Sequence, residues 1–114
     1  MQDYRNLIAW QRAHELTLEV YRVTRAFPPG ERFALTSQLR RAASSIGMNI
    51  AEGAGRATRA DFRRFLSMAA GSASEVQYQL ELAQDVGYLT HRCEKANLLA
   101  DEVKRIIHGL IRSI

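Results

Sequence analysis

Apolar residues recur at helical spacing along almost the whole chain, and this pattern constrains the fold more than any other feature. The clearest stripe consists of Leu35, Leu39, Ala42, Ile46 and Ile50. Its members are three or four residues apart, so they fall on one side of an α-helix, and nothing there alternates with the period of two typical of a half-buried strand. The only two prolines, Pro28 and Pro29, are adjacent, so proline interrupts the pattern at a single point. The sequence therefore predicts an all-α protein.

Turn-forming residues divide the pattern into four predicted helices, over residues 7–26, 31–52, 59–86 and 91–113. The prolines end the first helix. Three glycines end the next two, Gly53 and Gly55 the second and Gly87 the third, since glycine accepts the left-handed conformation of a helix C-terminus.

Threonines are the predicted caps of the last two helices. Thr58 caps the third, with Asp61 three residues further on as in a capping box, and Thr90 caps the fourth. The connections are short, so consecutive helices are expected to pack antiparallel. The prediction is one domain, residues 1–114, folded as an up-down antiparallel four-helix bundle, because 114 residues are enough for one core.

A run of small residues, 69–74, lies inside the third predicted helix. Gly71 within it costs about 1 kcal/mol relative to alanine in a helix interior. We therefore expect a neighbouring helix to approach closely at Gly71 and offset that cost.

Cys93 is the single cysteine, so the chain cannot form an internal disulfide. The first six residues are polar and lack the order of a secretory signal, and no apolar run approaches the roughly 18 residues of a membrane span. These features favour a cytoplasmic protein that does not enter membranes.

Charge is distributed unevenly along the chain, whose formal net charge is +4. Between Arg22 and Arg64 nine arginines accompany three acids, whereas between Phe65 and Glu102 two bases accompany six acids. This asymmetry indicates either a nucleic-acid surface or two faces that pair in an oligomer.

Six arginines cluster around the predicted turn between the second and third helices and form the candidate nucleic-acid site: Arg40, Arg41, Arg56, Arg59, Arg63 and Arg64. A guanidinium group has a planar fork suited to phosphate oxygens. The alternative is a solvated face with salt bridges to another subunit.

The individual positions refine this candidate site. Neighbours on a helix lie about 100° apart, so one of Arg40 and Arg41 is expected to face the bundle and pair with an acid. The nearby aromatics, Phe62 and Phe65, are predicted to be core, which weakens the case for stacking against bases.

Asn49 and Glu52 lie on or beside the apolar stripe of the second helix. Glu52 is either a ligand or acid, or it is structural and pairs with an arginine such as Arg41 or Arg56 or with backbone groups at the helix end; we favour the structural interpretation.

No catalytic site, metal site or cofactor site is predicted. The one His-x-x-Glu spacing, His91 with Glu94, lacks the second such motif and the two further glutamates of a bundle di-iron site. Cys93 has no matched histidine and asparagine, and the glycines after the second helix lack the lysine of a phosphate loop.

Three stretches make the chain recognisable. They are NLIAWQRA (residues 6–13), LTSQLRRAASSI continuing through NIAEG to Gly55 and Arg56 (35–56), and FRRFL with the following AGS and Glu75 (62–75). Together they resemble the bacterial 23S rRNA intervening-sequence protein family over nearly the whole chain. The sequence departs from the family at Gly47, where proline is common.

The resemblance implies an up-down four-helix bundle that assembles into a ring-like homo-oligomer, typically a pentamer. It also implies a structural motif at Asn49, Glu52, Gly53 and Gly71. The biochemical role of the family is not established. A related accessory protein of diversity-generating retroelements has the same fold, is strongly basic and works with a reverse transcriptase and nucleic acid.

Two functional hypotheses follow. The first is a non-enzymatic homo-oligomer that binds RNA, or an RNA-handling protein, through the arginine cluster. The second is a structural or protein-interaction scaffold without nucleic-acid binding, whose charges hold the oligomer together. Second apolar stripes on the first and fourth predicted helices favour oligomerisation under either hypothesis.

Overall fold

The computed structural model describes residues 2–89 and 93–114, and over these residues it contains no strand. Its helices are α1 (Ile8–Thr24), α2 (Leu35–Ala54), α3 (Arg59–Asp85) and α4 (Glu94–Ser113). Single-turn 3-10 helices at Tyr4–Asn6 and Pro29–Glu31 precede α1 and α2. The all-helical prediction is confirmed.

Contacts between neighbouring helices fix their directions. Ser45 on α2 meets Ser72 on α3, whereas Gly53, further along α2, meets Phe65, which is earlier on α3. The same opposed order joins α1 to α2, where the Thr17 hydroxyl bonds the Ala43 carbonyl and Arg40 bonds Thr24. Consecutive helices therefore run antiparallel, as the short connections predicted.

All four helices contribute fully buried side chains to one core. The largest are Leu16, Val20, Leu39, Ile46, Ile50, Leu66, Val76, Leu80, Val103 and Ile107. Each large aliphatic side chain contributes about 1.5–3 kcal/mol on burial, so this core is the main source of stability.

The second apolar stripes of α1 and α4 are used inside the chain. Trp10, Ile111 and Ile114 are partly buried and pack against the core. Trp10 also stacks on His14 and lies over Gly47 of α2, where a Cβ atom would be 3.3 Å from its Nε1. These stripes therefore do not by themselves call for a second subunit.

α3 begins and ends as its sequence predicts. The Thr58 hydroxyl accepts a hydrogen bond from the Asp61 N–H at 3.1 Å. At the other end Gly87 has a φ of +91°. The Gly87 N–H bonds the Gln84 carbonyl and the Tyr88 N–H bonds the Ala83 carbonyl, which is the Schellman pattern.

α2 begins at Leu35, so the prediction that it begins at Glu31 is wrong. Pro29–Glu31 form a 3-10 turn, and Ala34, immediately before α2, is not helical. The Glu31 carboxylate accepts the Leu35 N–H at 3.2 Å and the Tyr88 hydroxyl at 2.6 Å. Glu31 therefore lies outside the helix and accepts a hydrogen bond from the backbone N–H of its first residue.

The glycines at the end of α2 do not act as predicted. Gly55 has a φ of −87°, which any residue can adopt, and Gly53 lies inside the helix. A Cβ atom at Gly53 would lie 2.8 Å from the Phe65 Cβ and 3.0 Å from the Phe62 Cδ1. Gly53 is needed because α3 packs closely against it.

The predicted tight contact at Gly71 is also wrong. Gly71 is exposed, and a Cβ atom there would meet nothing within 4 Å. The neighbouring Ser72 faces α2, where its hydroxyl accepts from Ser45 at 2.6 Å. The close approach between α2 and α3 lies at Gly53 instead.

α4 begins at Glu94, and the predicted cap Thr90 and first residue His91 lie outside the described residues. Over the part of the chain that is described, no helix has the length and apolar character needed to cross a bilayer.

Candidate functional site

Four of the six candidate arginines surround the turn between α2 and α3. Arg56 follows the end of α2, Arg59 is the first residue of α3, and Arg63 and Arg64 lie one turn further on. All four are exposed. We call them the turn arginines.

Phe65 lies between two of the turn arginines. The guanidinium carbon of Arg64 is 4.6 Å from the ring centroid and that of Arg56 is 5.0 Å away. Such cation–π contacts favour a fixed guanidinium plane, and they leave its N–H donors available. Phe62 packs in the hydrophobic core as predicted. Phe65 is also buried, but it lies outside the main cluster of core side chains. Its ring holds the arginines in place.

Nearby acids neutralise the turn arginines weakly. The Arg56–Glu52 pair has an N–O distance of 3.4 Å with side chains 42% and 55% exposed. The Arg64–Asp61 pair has a distance of 3.6 Å with exposures of 58% and 45%. Exposed pairs of this kind contribute about 0–1 kcal/mol, so they compete poorly with a phosphate group.

Neither Arg59 nor Arg63 pairs with an aspartate or glutamate side chain among the described residues. Arg63 donates to the main-chain oxygen of Ile114, which ties the start of α3 to the end of α4. Arg59 has no acidic partner among the residues that the structure describes. The turn therefore carries four arginines against two acidic side chains, Glu52 and Asp61, and keeps an excess of positive charge.

Arg40 and Arg41 do not belong to this cluster. Arg40 faces α1, where its Nε donates to the Thr24 hydroxyl at 2.8 Å and its guanidinium lies 4.7 Å from the centre of the Tyr21 ring. One of the two arginines does face the bundle, as predicted, but its partners are a hydroxyl and a ring rather than an acid. Arg41 is exposed more than a dozen residues before the turn.

Asn49 and Glu52 have structural partners. The Asn49 amide donates to the Ser45 carbonyl at 2.9 Å, one turn earlier on α2. Glu52 is exposed rather than part of the apolar stripe, and it pairs with Arg56. The pairing with Arg56 agrees with the structural interpretation of Glu52.

A shallow polar groove of about 370 Å³ lies between α2 and α3, and we call it the α2–α3 groove. It is lined by Gln38, Arg41, Ala42, Ser45, Glu75 and Gln79. The Gln79 Oε1 atom is buried and has no hydrogen-bond partner within residues 2–89 and 93–114. A buried acceptor without a donor is unfavourable, so this groove is suited to a partner that supplies one.

A second groove, of about 450 Å³, runs along α4, and we call it the α4 groove. It is lined by Asp101, Lys104, Arg105, His108 and Arg112. Lys104, Arg105 and Arg112 were not among the predicted site residues, although they are the three lysine and arginine residues of 103–114, a stretch without an acid. The spacing of Arg105, His108 and Arg112 was a usable signal, because residues three or four apart lie on one face of a helix.

No group of three or more histidine, cysteine, aspartate or glutamate side chains that could hold a metal ion occurs within the described part of the chain. Cys93 is buried at the start of α4.

Comparison with known proteins identifies similar sequences and folds. The family model of the 23S rRNA-intervening sequence protein matches residues 5–109. A crystal structure from Bacteroides thetaiotaomicron VPI-5482, described as a protein with unknown function from the S23 ribosomal protein family, aligns with a TM-score of 0.84. It is 26% identical and covers 92% of this chain and 96% of that chain. No curated protein matches the chain. Neither similarity indicates an enzyme family.

Proposed function

Because the chain belongs to the 23S rRNA-intervening sequence protein family, we propose that it is a non-enzymatic, homo-oligomeric bundle whose turn arginines bind the phosphate groups of RNA. The observation that carries this proposal is that those arginines are exposed and only weakly paired with acids. Arg56 and Arg64 are held against Phe65 with only weak, exposed acidic partners. Arg59 has no acidic side-chain partner among the described residues, and Arg63 lies beside it with one donor on the main-chain oxygen of Ile114.

The arrangement suits phosphate better than a base edge. Guanidinium groups bind phosphate oxygens through two parallel hydrogen bonds, and such contacts position a nucleic acid without reading its sequence. The one aromatic ring in the cluster, Phe65, is already covered by arginines, so it offers no open face for a base. We therefore expect affinity with little sequence preference.

Removing charge from the turn arginines tests the proposal. We compare the double variant Arg59→Gln and Arg64→Gln with a control, Arg25→Gln and Arg32→Gln. The control removes the same charge from exposed positions in the connection between α1 and α2, at the opposite end of α2 from the turn. If both turn arginines contact phosphates of single-stranded RNA, the slope of log K against log salt falls by about 1.4 in magnitude. The control variant keeps the wild-type slope.

Equal slopes for wild type, turn variant and control would remove the turn arginines from the interface. Wild-type protein that binds no RNA at low salt would overturn the proposal, and an RNA-handling protein would become the partner to seek.

A scaffold function is the second candidate, and the exposed surface around the α2–α3 groove favours it. Met48 is 66% exposed and Met68 is 47% exposed. Each lies one turn along its helix from the Ser45–Ser72 contact, on the side of the turn arginines. Exposed Gly71 follows Met68 by three residues on α3, and the Gln79 Oε1 atom, which lacks a donor among the described residues, is in the groove. This surface combines apolar area with unsatisfied polar groups, as protein interfaces do.

Measurement of mass in solution tests whether this surface joins subunits. We expect wild-type protein to be a homo-oligomer at micromolar concentration and Met48→Lys with Met68→Lys to reduce its mass. The control, Leu18→Lys with Leu98→Lys, changes apolar residues of α1 and α4 that are 58% and 69% exposed, and it leaves the mass unchanged. A wild-type monomer contradicts the prediction.

Charge reversal separates the two candidate functions. Changing Arg59, Arg63 and Arg64 to glutamate abolishes RNA binding and leaves the oligomer intact if these arginines bind RNA. The same change dissociates the oligomer if their charges hold subunits together.

A further inference from the structure

The α4 groove carries positive charge along one face of a single helix. Arg105, His108 and Arg112 are three and four residues apart, and Lys104 is next to Arg105, so the four residues span about 12 Å along the helix. Within the described residues only Lys104 among them has a hydrogen-bond partner, the Gln77 amide oxygen at 3.1 Å. The remaining donors point to solvent.

Antiparallel packing joins the α4 groove to the turn arginines. Gln77 of α3 contacts both Asp101 and Lys104 of α4, and Arg63, four turns earlier on α3, contacts Ile114. α4 therefore runs from Asp101 toward the α2–α3 turn. The one acid of the groove, Asp101, lies at the far end and is hydrogen-bonded to the Gln77 amide at 2.7 Å.

We propose that the α4 groove binds the phosphate backbone of the same nucleic-acid strand that the turn arginines contact, so that Arg105 and Arg112 extend the interface along α4. The inference rests on the proposed function, because it assumes that RNA is bound at the turn. Arg105 and Arg112 lie seven residues, about 10.5 Å, apart along the helix, and cations that recur in this way are complementary to a polymer with repeated negative charge.

The lining of the groove also limits what it recognises. His108 supplies the one aromatic ring among the described residues that line it, and no phenylalanine, tyrosine or tryptophan is among them. Single-stranded nucleic acids stack successive bases on several such rings, so the groove offers little stacking surface. The groove therefore adds affinity and salt dependence without sequence preference. An acidic peptide has the same sign of charge, but it lacks the fixed repeat of phosphates, and it serves as the competing ligand in the test.

The test uses the full chain, a single-stranded oligouridylate and an oligoadenylate of equal length, in a salt series. Arg105→Gln with Arg112→Gln reduces the magnitude of the salt slope by about 1.4 for both oligonucleotides, since each lost contact to single-stranded phosphate contributes about 0.7. The control, Arg25→Gln with Arg32→Gln, retains the wild-type slope. If the double variant does not fold, Arg105→Gln alone is expected to reduce the slope by about 0.7.

The outcomes distinguish this inference from the proposed function. A wild-type slope for the α4 variant, together with a reduced slope for the turn variant, overturns the α4 interface and leaves the turn site standing. Wild-type protein that binds neither oligonucleotide overturns both. Polyglutamate that displaces RNA as effectively as an oligonucleotide of equal charge would also overturn the α4 inference, because the groove would then recognise charge without the phosphate repeat.

Discussion

Two guanidinium groups lie over the ring of Phe65, at the turn between α2 and α3. An apolar residue at helical spacing from Phe62 is expected to be core, and Phe65 is indeed buried, with 8% of its surface exposed. Its cover, however, includes the guanidinium groups of Arg56 and Arg64. Burial could be predicted from the sequence, whereas the nature of the covering groups depends on how α2 and α3 meet.

Gly53 and Gly71 give a matched pair of substitutions. Gly53→Ala places a Cβ atom 2.8 Å from the Phe65 Cβ, so we expect it to lower the free energy of unfolding by about 1–3 kcal/mol. Gly71→Ala meets nothing within 4 Å and is expected to raise it by up to about 1 kcal/mol, the helix-propensity difference. Denaturant unfolding measures both, and equal effects would contradict the packing described for Gly53.

The sequence could not distinguish these two glycines, because each lies inside a predicted helix or at its end with small or apolar neighbours. Which one meets another helix depends on the register of α2 against α3. That register is set by long-range contacts such as Ser45 with Ser72.

The Tyr88 hydroxyl donates a hydrogen bond to Glu31, and this bond is the main reason why the pKa of Glu31 is lowered; the Leu35 N–H adds to the effect. The same bond raises the pKa of Tyr88. Because the folded pKa of Glu31 lies below its unfolded value of about 4.3, the stabilisation is present above that pH and is lost as pH falls through the folded pKa. For Tyr88 the sign is reversed, and stability is lost as pH rises through its raised pKa.

Tyr88→Phe tests this pair. The variant loses the main cause of the Glu31 shift, so we expect the pKa of Glu31, followed by NMR titration, to move up toward its ordinary value. The stability difference between wild type and variant is expected to be larger at pH 7 than at pH 3. A Glu31 pKa that does not change in the variant would contradict the assignment.

At the scale of helices, the sequence correctly predicted helix ends that depend on hydrogen bonds between residues close together in the chain. The Thr58 cap and the Gly87 stop of α3 both lie within a few residues of the groups they satisfy. The start of α2 was missed because Glu31 acts from outside the helix and is held by Tyr88, 57 residues away. The spacing of apolar residues along the sequence contains no information about such a distant contact.

Gly87→Ala tests the helix end that depends on a left-handed residue. Its φ of +91° is unfavourable for a residue with a Cβ atom, so we expect a loss of about 1–2 kcal/mol of unfolding free energy. Gly30→Ala is the control, since Gly30 does not have a positive φ and a Cβ there would have no neighbour within 4 Å. A Gly87→Ala variant as stable as the Gly30→Ala variant would contradict the role of Gly87.

At the scale of the whole molecule, antiparallel packing rearranges the charge that the sequence presents in order. The distribution of charge along the sequence predicted a nucleic-acid site at the arginines up to Arg64. It did not include the arginines of α4, which are more than 40 residues later. The fold places the end of α4 beside the start of α3 through Arg63 and Ile114. The candidate interface was therefore predicted in part, and its continuation required the three-dimensional register.

The packing of the helices also changes where a subunit interface is expected. The second stripes of α1 and α4, which suggested oligomerisation, pack within the chain. The exposed methionines and Gly71 beside the α2–α3 groove are a better location, and the sequence did not single out Met48 or Met68. The scaffold hypothesis thus keeps its support but on different residues.

Binding of wild-type protein to a structured rRNA fragment and to random RNA duplex, across a salt series with mass determined in the same samples, tests the central claim most directly. Phosphate binding by the turn arginines predicts affinity that falls steeply and linearly with log salt, similarly for both RNAs, in an oligomer whose mass does not change. A stable oligomer that binds neither RNA at low salt would contradict that claim and would assign the arginines to protein contacts.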